Sequence, residues 1–162
     1  MNYSVAVYTD NYKQPIIDLI LSIQTEEFNV AITAGDQPDL QDIPGYYQQG
    51  AGNFWLAITG NTVIGTIALS DIGNQQGALR KMFVHKDYRG KDYGVAQELL
   101  NTLLSWAKEK ELQEIFLGTT DQFHAAHRFY EKNHFQRVPV DSLPPDFSRM
   151  AVDSIFYKYI FK

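Results

Sequence analysis

The stretch Met82-Phe83-Val84-His85-Lys86-Asp87-Tyr88-Arg89-Gly90-Lys91-Asp92-Tyr93-Gly94-Val95-Ala96 decides how this chain folds. It begins with β-forming residues, passes through a basic loop that holds two glycines, and enters a helix-forming run without a break. Strand, glycine loop and helix in that order build an anion cradle. Glycines let backbone N–H groups turn toward one point, and the unsatisfied N–H groups of the first helical turn add a partial positive charge there. A pyrophosphate suits such a cradle, with Arg89 and Lys91 supplementing the amides from the sides and Gly94 allowing close approach to the helix. The spacing is not that of a nucleotide-hydrolase phosphate loop, and no G-x-G-x-x-G follows the first strand as a dinucleotide fold requires.

The preceding residues Ala78 to His85 read as a strand whose alternation slips where Arg80 and Lys81 stand side by side between Leu79 and Met82. A β-bulge absorbs such an extra residue. Upstream, Phe54 to Thr59 and Thr62 to Leu69 are strand-like runs separated by Gly60-Asn61, the signature of a tight antiparallel hairpin. That hairpin excludes a parallel sheet of simple βαβ units. Ser4 to Tyr8 reads as a first strand, and a helix with a broad apolar face runs from Pro15 to about Glu27. Residues 29–52 hold Gly35, Pro38, Pro44, Gly45 and Gly50, with room for one short helix, and form an irregular surface suited to acceptor contacts. Downstream, Val95, Leu99, Leu103 and Ala107 form the stripe of an amphipathic helix ending near Glu111. Ile115 to Leu117 is a short buried strand, Gln122 to Asn133 a helix, Phe135 to Val138 a strand, and Ala151 to Phe161 a terminal strand.

The chain has 162 residues, 44% of them hydrophobic, which is material for one sizeable core and predicts a single domain over residues 1–162. It lacks cysteine, so disulfides, thiolate metal sites and thiol nucleophiles are excluded, and a cytoplasmic location is expected. No run is apolar enough to span a bilayer, so no membrane partner is expected. The net charge of −5 speaks against nucleic acid as a partner. Between Gln14 and Leu79 there is no Lys or Arg, while Asp18, Glu26, Glu27, Asp36, Asp39, Asp42 and Asp71 are all acidic. The opposite imbalance follows at once in Arg80, Lys81, Lys86, Arg89 and Lys91.

The loop resembles the acyl-CoA loop of the GNAT superfamily of N-acetyltransferases, whose pattern is Arg or Gln, two residues, Gly, one residue, then Gly or Ala. Arg89 and Gly94 take the first and last positions, and Asp92 stands for the middle glycine. Further on, Ala126-His127-Arg128-Phe129-Tyr130-Glu131-Lys132-Asn133-His134-Phe135 resembles that family's helix ending in Ala, two residues, Leu-Tyr, three residues, Gly-Phe. Tyr130 matches the tyrosine; His134 replaces the glycine, which moves the expected left-handed helix end to Asn133. The resemblance spans residues 54–138. It implies an α/β (α+β) fold: a mixed, mostly antiparallel sheet of six to seven strands flanked by four helices, with a bulge in the central strand that splays its neighbours. It also implies acetyl-CoA as cofactor, held by Met82, Phe83 and Val84 through their backbone, by Arg89, Gly90, Lys91, Asp92, Tyr93, Gly94 and Val95, and by Phe123, which stands where many members carry an Asn. A homodimer is compatible with the resemblance.

The implied activity is transfer of acetyl from acetyl-CoA to a primary amine of a small molecule or peptide by direct attack. Such a reaction needs a base for the amine, donors for the carbonyl and an acid for the leaving thiolate. The resemblance gives Tyr130 the role of general acid. It places Glu26 and Glu27 at the end of the first helix, where the acceptor pocket is shaped, with Glu27 as a candidate catalytic base; Asp153 and His85 are further candidates by position. Tyr46, Tyr47, Phe54 and Trp55 offer themselves for the acceptor pocket. The acidic first half suggests a small cationic acceptor such as a polyamine or a lysine-like amine. His124 and His127 stand at helical spacing without a third ligand in pattern, so no metal is expected and both read as surface residues. The alternative reading is a non-catalytic acyl-CoA-binding or interaction module with the same fold.

Overall fold

The computed structural model describes residues 2–150 and 153–162. Its centre is a seven-stranded sheet in the order β1-β2-β3-β4-β5-β7-β6, formed by β1 (Ser4–Val7), β2 (Asn53–Thr59), β3 (Thr62–Asp71), β4 (Gln76–Val84), β5 (Glu114–Thr119), β6 (Gln136–Val138) and β7 (Ile155–Ile160). All neighbours are antiparallel except β4 and β5. The Gly60-Asn61 hairpin joins β2 to β3 as expected. Ala151 and Val152, expected to open the last strand, lie outside the described residues.

Helix α1 (Lys13–Leu21) continues into a π-helical segment, Ser22–Glu27, so the long first helix is there but unwinds into wider turns at its end. The irregular segment holds two single-turn helices, α2 (Pro38–Gln41) and α3 (Ile43–Tyr46), where one short helix was expected. Each carries a proline in its first turn, Pro38 at the first position of α2 and Pro44 at the second of α3, where a fixed φ suits the helix, and the break falls at Asp42, which accepts from the N–H of Gly45. Helices α4 (Val95–Glu109) and α5 (His124–Lys132) follow β4 and β5.

The sheet separates two cores. On one face Val95, Leu99, Leu100, Leu103 and Ala107 of α4 pack with Ile64, Leu79, Leu117, Tyr130 and Tyr157. On the other, Ile16, Ile17, Leu19 and Ile20 of α1 pack with Leu40, Ile43, Tyr47 and Phe54. Trp55 and Phe54 thus serve opposite cores. The stripe read from the α4 sequence is the buried face. Leu100→Ala should lower stability by about 2–5 kcal/mol, read as a shift of the denaturant midpoint with unchanged slope. No described helix is long and apolar enough to cross a membrane.

Candidate active site

The site is created by a parting of strands. β4 and β5 pair only over Gln76–Ala78 and Glu114–Phe116, after which they diverge. Beyond Ala78 the β5-facing edge of β4 has no partner strand among the described residues, so its backbone groups from Leu79 to Val84 are available to something inserted between the strands. The bulge read from Arg80 and Lys81 lies at this point. The register of β3 against β4 shifts between Thr66, opposite Phe83, and Ala68, opposite Arg80. Lys81 takes a left-handed backbone, φ 49°, and its carbonyl accepts from the Thr66 hydroxyl at 2.7 Å.

At the open end of the gap the chain turns through the glycine loop into α4. Positive φ falls on Gly90 (106°) and Gly94 (68°), and Asp92, which stands for the family's glycine, is exposed without it. Gly94 is the N-cap of α4 and offers no side chain, so the N–H groups of the first turn lack a side-chain acceptor. They face the loop, and the helix dipole favours an anion there. Lys91 and Tyr93 are exposed on the same loop, while Val95 is buried beneath it. Arg89 behaves otherwise: its guanidinium forms a bidentate pair with Glu27 and donates from Nε to the Val84 carbonyl at 2.8 Å. It braces the loop against the end of β4 and the π-helical turn.

Tyr130 lies across the gap on the α4 side. It is 7% exposed, packed among Phe129, Phe135 and Tyr157, and the one hydrogen-bond partner of its hydroxyl among the described residues is the Met82 sulfur, at 3.8 Å. Burial, aided by the charges of Asp153 and Tyr157, pushes its pKa up, so the proton stays on through the neutral range. Asp153 occupies the other face, where its carboxylate sits over Gly118 of β5. A Cβ there would come within 2.5 Å of Oδ2, so Gly118 is what makes room for the acid. Asp153 accepts from the Met150 N–H at 3.2 Å, and burial raises its pKa against the lowering effects of that bond and of Arg80.

Arg80 and Lys81 project to this second face, separated from Arg89 and Lys91, so the basic cluster of the sequence is two clusters in space. Lys81 is bonded to Asp39 (3.4 Å) and to the Gln37 amide oxygen. Asp39 also accepts from the Tyr47 hydroxyl at 2.5 Å, and Gln37 pairs with Gln24. This network fastens the irregular segment to the bulge. Burial lowers the pKa of Lys81 and, more than any other cause, raises that of Tyr47.

Several expected residues fall elsewhere. Tyr46 is 53% exposed and turned to solvent; Tyr47 is buried against Phe54, and its hydroxyl donates to Asp39. Glu26 is exposed and accepts from Ser22. His85 accepts from the Asp87 N–H at 3.1 Å and caps a turn. Phe123 stacks edge-on against Phe28, centroids 4.6 Å apart, closing the gap between the first helix and α5. His127 is buried instead of lying on the surface, bonded to the Thr120 carbonyl at 2.7 Å. The left-handed residue after α5 is His134 (φ 73°) and not Asn133. The acidic first half is largely consumed locally: Asp36 and Asp42 cap helical turns, Asp71 holds the N–H groups of Ala51 and Gly73, Asp39 holds Lys81, and Glu27 holds Arg89.

One residue escaped the sequence reading. Thr120, directly after β5 at the open end, has a buried hydroxyl with no partner among the described residues. An orphaned hydroxyl beside an unpaired strand edge and an uncapped helix start fits a long, amide-bearing, phosphorylated ligand such as an acyl-CoA. Residues 17–135 match the family model described as Acetyltransferase (GNAT) family.

The chain belongs to the GNAT acetyltransferase family. The N-acetylaspartate synthetase of Xenopus tropicalis is 33% identical over 126 residues, 74% of this chain and 45% of that protein. The chain thus spans about half the length of the relatives it matches. An acetyltransferase of the GNAT family from Staphylococcus aureus Mu50 superposes with a TM-score of 0.94 at 38% identity, covering 99% of this chain and 100% of that one. The PaiA N-acetyltransferase of Thermoplasma acidophilum, solved in complex with coenzyme A, superposes at 0.73 with 15% identity over 99% and 100% of the two chains, a likeness of fold. In this GNAT chain the Arg89–Glu27 pair predicts a modest, structural phenotype. Glu27→Gln should weaken coenzyme A binding by less than about tenfold and leave the pH profile of kcat/KM unchanged, as measured by calorimetry and steady-state rates. Loss of the acid limb of that profile would instead make Glu27 the base.

Proposed function

We propose that residues 1–162 act as one domain, an acyl-CoA-dependent N-acyltransferase that moves acetyl from acetyl-CoA to a primary amine of a small molecule or peptide by direct attack. The observation that carries this reading is the buried Tyr130 hydroxyl, protonated and facing Met82 where β4 and β5 part. When bound, acetyl-CoA would supply an activated acyl carbon and a thiol leaving group. The first-turn amides of α4, Gly94 and the exposed Lys91 would hold its diphosphate, and the free edge of β4 with the Thr120 hydroxyl would hold the pantetheine amides.

Asp153, with its raised pKa, is placed in this reading as the base in preference to Glu27, which Arg89 occupies. It takes the proton that the amine nitrogen sheds as the nitrogen–carbon bond forms. Backbone N–H groups along Met82–Val84 polarise the carbonyl. Tyr130 gives its hydroxyl proton to the sulfur as the carbon–sulfur bond breaks. Solvent then restores both groups, so the products are the amide and the free thiol.

The test is release of free thiol from acetyl-CoA across a panel of amines. Amine-dependent release supports the enzyme; tight binding of coenzyme A with no turnover on any amine would favour a binding module. Gly118→Ala should slow transfer by about tenfold or more without weakening coenzyme A binding, because the added Cβ displaces Asp153 most, with the Phe156 ring giving way by only a few tenths of an ångström.

A further inference from the structure

The bulge puts two neighbouring cations on one face of β4, and they differ in how they are satisfied. Lys81 has Asp39 within the fold. Arg80 has no carboxylate within salt-bridge distance among the described residues; its guanidinium donates to the Ser148 carbonyl and lies 4.6 Å from the centre of the Phe147 ring. A half-buried guanidinium with a carbonyl as its one hydrogen-bond partner among the described residues keeps its remaining N–H donors open to an anion. Its neighbour Lys81 holds a left-handed backbone, φ 49°, in an arrangement that a regular strand would not produce. Arg80 shares its face with Asp153, and each acts electrostatically on the other. The wall of the gap opposite Tyr130 therefore presents an acid and, beside it, an unpaired planar cation.

We propose that Arg80 anchors a carboxylate on the acceptor, so that the acceptor is an amino acid or a related amine bearing an anionic group. This rests on the N-acyltransferase reading and names its acceptor class. A planar guanidinium matches a carboxylate in two parallel hydrogen bonds and rejects an ammonium. Asp153 is then free to receive the amine, and Phe147 backs the guanidinium. The preference is opposite to that suggested by the acidic composition, whose carboxylates are largely engaged within the fold.

The experiment uses the full chain with acetyl-CoA and the protein amino acids, each beside its carboxamide and its decarboxylated amine. Thiol release gives rates, and calorimetry in the presence of coenzyme A gives binding of the N-acetylated acids and their amides. Carboxylate-bearing acceptors should be preferred by about 10- to 100-fold in kcat/KM, carried in KM. Arg80→Met should erase that preference, and Arg80→Lys should keep part of it; coenzyme A affinity serves to show that each variant is folded. Equal use of acids, amides and simple amines, a preference that survives Arg80→Met, or no transfer to and no binding of any carboxylate would overturn the proposal while leaving amine acetylation standing wherever it is seen. Carboxylate-selective binding lost in Arg80→Met, with no transfer to any amine, would keep the anchor and remove the transferase.

Discussion

Tyr130→Phe is expected to lower kcat by about 10²- to 10⁴-fold, the range that a positioned general acid contributes, while coenzyme A binding is unchanged. The substitution removes one oxygen whose one hydrogen-bond partner among the described residues is the Met82 sulfur. A buried hydroxyl without a good acceptor gives the fold little, so thermal stability should hold or rise slightly. A merely packed tyrosine would give the reverse pairing, with rates unaffected. The pH profile adds a second check. A general acid works while protonated, and burial raises this one above the ordinary tyrosine value of 10.0, so kcat should show no alkaline decline below that pH.

Asp153→Asn carries the second large effect, a fall of about 10²-fold or more in kcat/KM at neutral pH with the acid limb of the profile abolished. In the wild type that limb should lie above the ordinary aspartate value of 3.8, since burial raises the folded pKa. The same shift has a stability consequence. Below the ordinary value the folded and unfolded chains both hold the proton. As pH rises through the folded value, the native state must release a proton that the unfolded chain has already lost, and wild-type stability falls over that window. The Asn variant lacks this titration, so its stability relative to wild type should increase from acid to neutral pH. A variant that gains stability and loses activity marks a site where charge is kept for function; equal loss of both would make Asp153 structural.

The parts of this protein legible in its sequence are those set by local pattern. Adjacent Arg80 and Lys81 break a period of two, and only a bulge can do that while Leu79 and Met82 stay on the same core face. Gly94 before an apolar stripe marks an uncapped helix start, and the stripe itself predicts which residues of α4 are buried. What escaped depends on partners distant in the chain. Nothing near Arg89 announces Glu27, and nothing near Gly118 announces Asp153. Thr120 is singular only through what it fails to meet. The local use of the acidic run was not legible either, because Asp is both a charge and the preferred cap of short helical turns, and this segment is mostly turns. His134 adopts positive φ at a helix end where Asn133 is the easier residue, because Asn133 continues the turn with bonds to Phe129 and Tyr130.

We propose that a diphosphate seats on the first turn of α4, beside the gap between β4 and β5. Titrating coenzyme A into isotope-labelled protein and following the backbone amides tests it most directly. The predicted result is saturable shifts at Gly94, Val95, Ala96 and Gln97, accompanied by Met82, Val84 and Thr120. Shifts confined to other surfaces, or none with coenzyme A in large excess, would contradict it.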